Sequence, residues 1–122
     1  MVVTQKELQQ DIQAFEQYRN QLMGVSNQKQ QTQMQANALS AAVEALKETK
    51  EKKVFKAVGN VLIQSDTKIV LEDTIKQKES LELRVKSLQK QEDIVVNNLN
   101  KIKAKIESTQ KTEEDKNDKK VN

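Results

Sequence analysis

The side chains that most often do chemistry are missing from this protein. Its 122 residues include no Cys and no His. That removes a thiol nucleophile, a Ser/His relay, a disulfide framework and any Cys/His site for zinc, haem or an iron–sulfur cluster. No enzyme active site and no cofactor are expected. What remains able to act is charge, with Lys+Arg 21 against Asp+Glu 18 and a net +3. The surplus gathers at Lys47, Lys50, Lys52, Lys53 and Lys56, offset by Glu48 and Glu51. A nucleic-acid surface would need a long helix face of one sign or an aromatic platform among the cations, and the chain offers neither. The cluster reads as a solvated helix end, with Glu48 and Lys52 paired at i,i+4. Lys101, Lys103 and Lys105 read likewise as a wet face.

The elements that carry these residues follow from composition and period. Hydrophobic residues are 35% of the chain, aromatics 2%, charged residues 32%, Pro 0 and Gly 2. Such a chain cannot fill an ordinary globular core. Disordered chains also have few apolar residues, but they tend to be rich in Pro and Gly or to carry a large net charge. Long helix is the reading left. The longest apolar runs, Val61-Leu62-Ile63 and Ile69-Val70-Leu71, fall far short of a membrane span, and the first five residues have no basic start or apolar signal core. A cytoplasmic protein with no membrane partner is expected.

With heptad position a at Leu8, the a residues are Leu8, Phe15, Leu22, Lys29, Ala36 and Val43, and the d residues are Asp11, Tyr18, Val25, Thr32, Leu39 and Leu46. Most are apolar, and the intervening Gln, Asn, Lys and Glu suit a solvated face, so a coiled-coil helix is predicted over about residues 4–48. Ile12 beside Asp11 widens the stripe. Starting again at Leu71 gives a = Leu71, Lys78, Val85, Glu92, Leu99, Ile106 and d = Thr74, Leu81, Leu88, Val95, Ile102, Thr109. A second helix is therefore predicted over about 67–110. Two arms of near-equal length fold back most simply as an antiparallel pair. Lys29 and Glu92 then lie at similar heights, to be met by an ion pair or by snorkelling to solvent.

The helical period stops between them. Lys53 to Gln64 reads KVFKAVGNVLIQ, with β-branched and aromatic residues around a Gly-Asn pair, which predicts a hairpin over about 53–64 with Gly59 and Asn60 at its turn, both at positive φ. Ser65, Asp66 and Thr67 are all candidate caps for the second helix. An isolated two-stranded hairpin is marginal in water, and this one carries Val54, Phe55, Val58, Val61, Leu62 and Ile63 with no further layer to cover them. It is expected to pair with strands of other subunits. Residues 1–110 are read as one domain, and 111–122, KTEEDKNDKKVN, as a disordered charged tail.

The order of these features resembles one family. VFKAVGNVLIQ (Val54 to Gln64) between two heptad arms, preceded by SNQKQQTQMQ (Ser26 to Gln35) and followed by LELRVKSLQKQE (Leu81 to Glu92), is similar to the beta-class subunit of prefoldin, most like the archaeal form. The resemblance covers roughly residues 5–110. It implies a mainly α fold, a long antiparallel two-helix coiled coil with one short hairpin at the bend. It implies a hetero-hexamer of two alpha-class and four beta-class subunits whose hairpins join in a β-barrel platform. The function implied is ATP-independent holding of unfolded polypeptides between the arm tips and their transfer to a group II chaperonin.

The physics of the seam ends supports such a client site. Leu8, Ile12 and Phe15 on one helix and Leu99, Ile102 and Ile106 on the other lie where both seams end and fray, with Val2 and Val3 extending the patch. Frayed ends expose apolar surface without a shaped pocket, so capture is promiscuous. Two other readings stay open at this point. A tethering coiled coil without clients would need only a loop at the bend, and a homo-oligomeric, filament-forming relative of prefoldin would share the fold.

Overall fold

The structure, a computed structural model, describes residues 5–121, and the surroundings of side chains over 5–110. Its elements run α1 (Gln5–Glu48), β1 (Lys53–Val58), β2 (Val61–Asp66) and α2 (Thr67–Val121). Two long helices flank one antiparallel hairpin, as the sequence predicts.

Both heptad registers survive the comparison residue by residue. Every a and d position assigned above on α1 and on α2 is buried or half-buried, the polar ones included. Ala36, Val43 and Leu88 are the most enclosed apolar side chains. Two buried seam threonines satisfy their hydroxyls within their own helix, Thr32 donating to the Gln28 carbonyl at 2.7 Å and Thr109 to the Lys105 carbonyl at 2.9 Å. A hydroxyl that bonds back one turn is thereby hidden from the seam, which explains how a coiled coil tolerates it there. Ile12 does not widen the stripe. It is 41% exposed, because the carboxylate of Asp11 holds the seam position beside it.

By its contacts the chain divides into two compact units. A two-helix seam has no centre, since each layer touches only layers close to it in height. Among the described residues, the first unit combines 5–27 with 89–121. There the helices run antiparallel: going up α1 from Asp11 to Ser26 is matched by going back down α2 from Lys105 to Glu92, the partners bonded in each case. The second unit, residues 28–88, contains the hairpin and the helix ends that carry it.

In that second unit α1 stops at Glu48. Thr49 donates its N–H to the Ala45 carbonyl at 3.0 Å and accepts at its hydroxyl from the Glu51 N–H at 3.2 Å, closing the last turn. The same stop removes the expected Glu48–Lys52 pair, because Lys52 lies beyond the helix and the i,i+4 spacing no longer brings the two together. Thr67 then ties the start of α2 to this lead-in. Its N–H donates to the Lys52 carbonyl at 2.9 Å and its hydroxyl to the Glu51 carbonyl at 2.7 Å. Of the three candidate caps, Ser65 and Asp66 are taken into β2, opposite Val54 and Lys53. At the far end α2 runs on to Val121, past the boundary predicted at 110. The segment read as a disordered tail has helical backbone, in keeping with a run of Lys, Glu and Asp that contains no Gly or Pro to stop it.

Candidate assembly and client surfaces

The hairpin is built by a two-residue turn. Val58 pairs with Val61, and Gly59 and Asn60 stand between them. Gly59 takes φ +60°, while among the described residues none other than glycine has a positive φ. That corrects the expectation of positive φ at both central positions. A glycine at the first of them followed by an ordinary φ is the pattern of a type II′ turn, one of the two whose twist matches paired strands. Asn60 is therefore not strained.

The register fixes which side chains share a face. Directly opposed residues are Phe55 with Gln64, Ala57 with Leu62, Lys56 with Ile63, and Val58 with Val61. Since side chains alternate along a strand, Val54, Val58, Val61 and Ile63 project to one side and Phe55, Ala57 and Leu62 to the other. Lys56 and Ser65 share the first face and Lys53, Gln64 and Asp66 the second, yet both expose large apolar side chains. Phe55 is 68% exposed, Leu62 67%, Val61 59%, Val58 50% and Ile63 48%. A soluble two-stranded sheet normally keeps a polar face for water, and both outer edges of this one carry unpaired backbone groups as well. All eight residues assigned from sequence to oligomerisation, Val54 to Ile63 with Lys56 and Ala57 set aside, lie in this hairpin.

Below it, in the same unit, lies a cleft of about 760 Å³. Leu46, Ile69 and Leu71 supply its apolar wall and Lys47, Lys52 and Lys68 stand among its polar lining. Ile69 is 54% exposed. The sequence reading missed this feature, and its only trace there was the apolar run Ile69-Val70-Leu71. The five lysines of the bend are all exposed, as a solvated helix end requires.

The candidate client residues belong to the other unit. Leu8 and Phe15 on α1 and Leu99, Ile102 and Ile106 on α2 are half-buried seam residues, whereas Ile12 faces outward. Val2 and Val3 lie outside the described residues. Polar contacts also cross the seam in this unit. Ser26 donates its hydroxyl to Glu92 Oε2 at 2.8 Å, and Lys105 Nζ stands 3.3 Å from Asp11 Oδ1. Lys105 is therefore more than part of a wet face. A charge at a seam position, Asp11, was the signal that could have found its partner.

Three comparisons bear on what such a chain is. The Prefoldin subunit family model matches residues 9–113. Prefoldin subunit beta of Methanospirillum hungatei is 30% identical over 102 residues, which are 83% of this chain and 85% of that protein. Prefoldin subunit beta of Pyrobaculum calidifontis is 33% identical over 93 residues, 75% of this chain and 74% of the relative. Among solved structures, the crystal structure of the prefoldin beta subunit from Thermococcus strain KS-1 superposes with a TM-score of 0.79 at 25% identity, covering 88% of this chain and 94% of that one.

Proposed function

The chain belongs to the prefoldin subunit family, in its beta class, and on that premise we propose that it is one subunit of an ATP-independent holdase in the cytoplasm. Its hairpin joins those of further beta-class and of alpha-class subunits, two alpha and four beta, in a closed β platform. Its coiled-coil end captures unfolded polypeptides, which the complex passes to a group II chaperonin. None of these steps makes or breaks a covalent bond, in keeping with a chain that has neither Cys nor His.

One observation carries the reading. The hairpin exposes large apolar side chains on both faces, Val58, Val61 and Ile63 on one side and Phe55 and Leu62 on the other. A tether would gain nothing from such a surface and would risk aggregation through it. Strand addition across the open edges satisfies the backbone groups and covers the side chains together.

The test is native mass spectrometry of the chain with an alpha-class partner, followed by aggregation of an unfolded test protein without nucleotide. The expected result is a hexamer that suppresses aggregation. Replacing Val61 and Ile63 with Lys should abolish the hexamer while leaving most of the helicity, because two charges would enter one face of a strand interface. Full-size oligomer from that double variant would count against the platform.

A further inference from the structure

One kind of side chain in this protein remains open to simple covalent change. The sequence has no Cys, His or Trp, so its three methionines are the groups that peroxide oxidises most readily. Met1 lies outside the described residues. Met23 and Met34 both stand on α1, 59% and 65% exposed.

The heptad explains why they are open. With Leu22 at a, Met23 takes position b, and with Thr32 at d, Met34 takes position f. Both positions face away from the partner helix. Methionine is a common filler of irregular cores, yet none of the a and d positions of either helix is methionine. The distinction matters because oxidation turns a flexible apolar thioether into a polar sulfoxide. In a seam that would break a layer, whereas on a solvated face it replaces one exposed group by a better hydrated one.

We propose that Met23 and Met34 are the peroxide-oxidation sites of this chain, and that both take up oxygen without loss of the coiled coil, of assembly or of capture. In each event the thioether sulfur attacks one oxygen of hydrogen peroxide. The S–O bond forms as the O–O bond breaks, sulfur gives up two electrons, and the departing hydroxide takes the remaining proton and leaves as water. A holdase built this way keeps working under peroxide, where proteins with methionine in their cores lose their packing. Only the clause on assembly and capture rests on the holdase reading above.

The test has two arms. In the first, the chain assembled with an alpha-class partner is exposed to hydrogen peroxide and sulfoxide is followed site by site by peptide mass spectrometry. Leu88→Met supplies the comparison, since Leu88 is among the most enclosed seam side chains and the swap conserves volume. Met23 and Met34 should oxidise at least about tenfold faster than position 88 of that variant, as their exposure requires. In the second arm the chain is oxidised by itself, freed of peroxide, and combined with untreated partner and untreated unfolded test protein. Helicity, hexamer mass and suppression of aggregation should stay within about twofold of an equally treated Met23→Leu/Met34→Leu chain, because no seam layer has changed. Either methionine oxidising as slowly as position 88 overturns the assignment of that site. A larger loss of assembly or capture than in the double variant overturns the tolerance, and a loss of capture traced to Met23 would make it a client contact. A chain that neither assembles nor captures before treatment overturns the holdase reading, while the oxidation rates and helicity of the free chain still decide the rest.

Discussion

Asp11 and Lys105 bridge the two helices near the chain ends, with Lys105 Nζ 3.3 Å from Asp11 Oδ1. The pair is unequal. The Asp11 side chain is only 14% exposed and lies on the seam, while Lys105 reaches in from a position 59% exposed. The other carboxylate oxygen, Oδ2, is buried without a hydrogen-bond partner. A half-satisfied carboxylate weakens the layer that holds it, and the exposed lysine repays little. Asp11→Leu should therefore stabilise this end of the coiled coil by about 1 kcal/mol, by completing the apolar stripe. Slower amide hydrogen exchange over residues 8–18 would register it. Lys105→Gln should speed that exchange. Faster exchange in Asp11→Leu would mean that Asp11 is not a seam residue.

The turn makes two opposite predictions at neighbouring positions. Gly59 holds φ +60°, so Gly59→Val should cost about 1 to 3 kcal/mol in strain, even though a Cβ there would meet nothing within 4 Å. Asn60 has no positive φ to relieve, so Asn60→Ala should cost no more than a few tenths of a kcal/mol. Thermal unfolding of the assembled protein separates the two. Equal losses at both sites would indicate a turn with positive φ at both central residues.

These two residues also mark how far the sequence could be read. Helix, hairpin and seam were legible because each rests on a period, and the heptads beginning at Leu8 and Leu71 found all their buried positions. The pair Gly59-Asn60 located the turn but left its type open, since asparagine tolerates either sign of φ. Contacts without a period were illegible. Nothing in the local pattern joins Thr67 to the Glu51 carbonyl, or Lys105 to Asp11, because both depend on where two distant segments meet. The course of α2 beyond residue 110 is illegible for a different reason. Charged composition describes a preference for water and leaves the backbone conformation undecided.

Gly24 makes the cleanest stability prediction. It sits inside α1, away from the seam, with open space where its Cβ would stand and no positive φ. Glycine in a helix interior is less favourable than alanine by about 0.5 to 1 kcal/mol. Gly24→Ala should therefore raise the unfolding temperature without changing the oligomer. A variant that melts higher but captures less unfolded protein would show that this surface is approached closely from outside.

The location of client capture is tested by removing the seam ends. Deleting residues 1–15 and 99–122 takes away Leu8, Ile12, Phe15, Leu99, Ile102 and Ile106 together, and keeps the hairpin with the layers from Leu22 to Leu88. The hexamer should survive, because the hairpin that pairs strands is untouched. On the proposed client site, suppression of aggregation should fall steeply, because the lost apolar area is what would hold the unfolded chain. Neutralising Lys101 and Lys103 in the full chain should leave capture nearly intact at physiological salt, where exposed charges are screened beyond about 8 Å. Lys105 is kept out of that variant because its bond to Asp11 would alter the seam as well as the charge. The half-burial of Leu8, Phe15, Leu99, Ile102 and Ile106 sharpens the prediction further: capture has to open these layers, so Asp11→Leu, which tightens them, should reduce capture without shortening the chain. An intact truncated hexamer that still prevents aggregation would move the client site to the inner face of the platform, with family and fold unchanged.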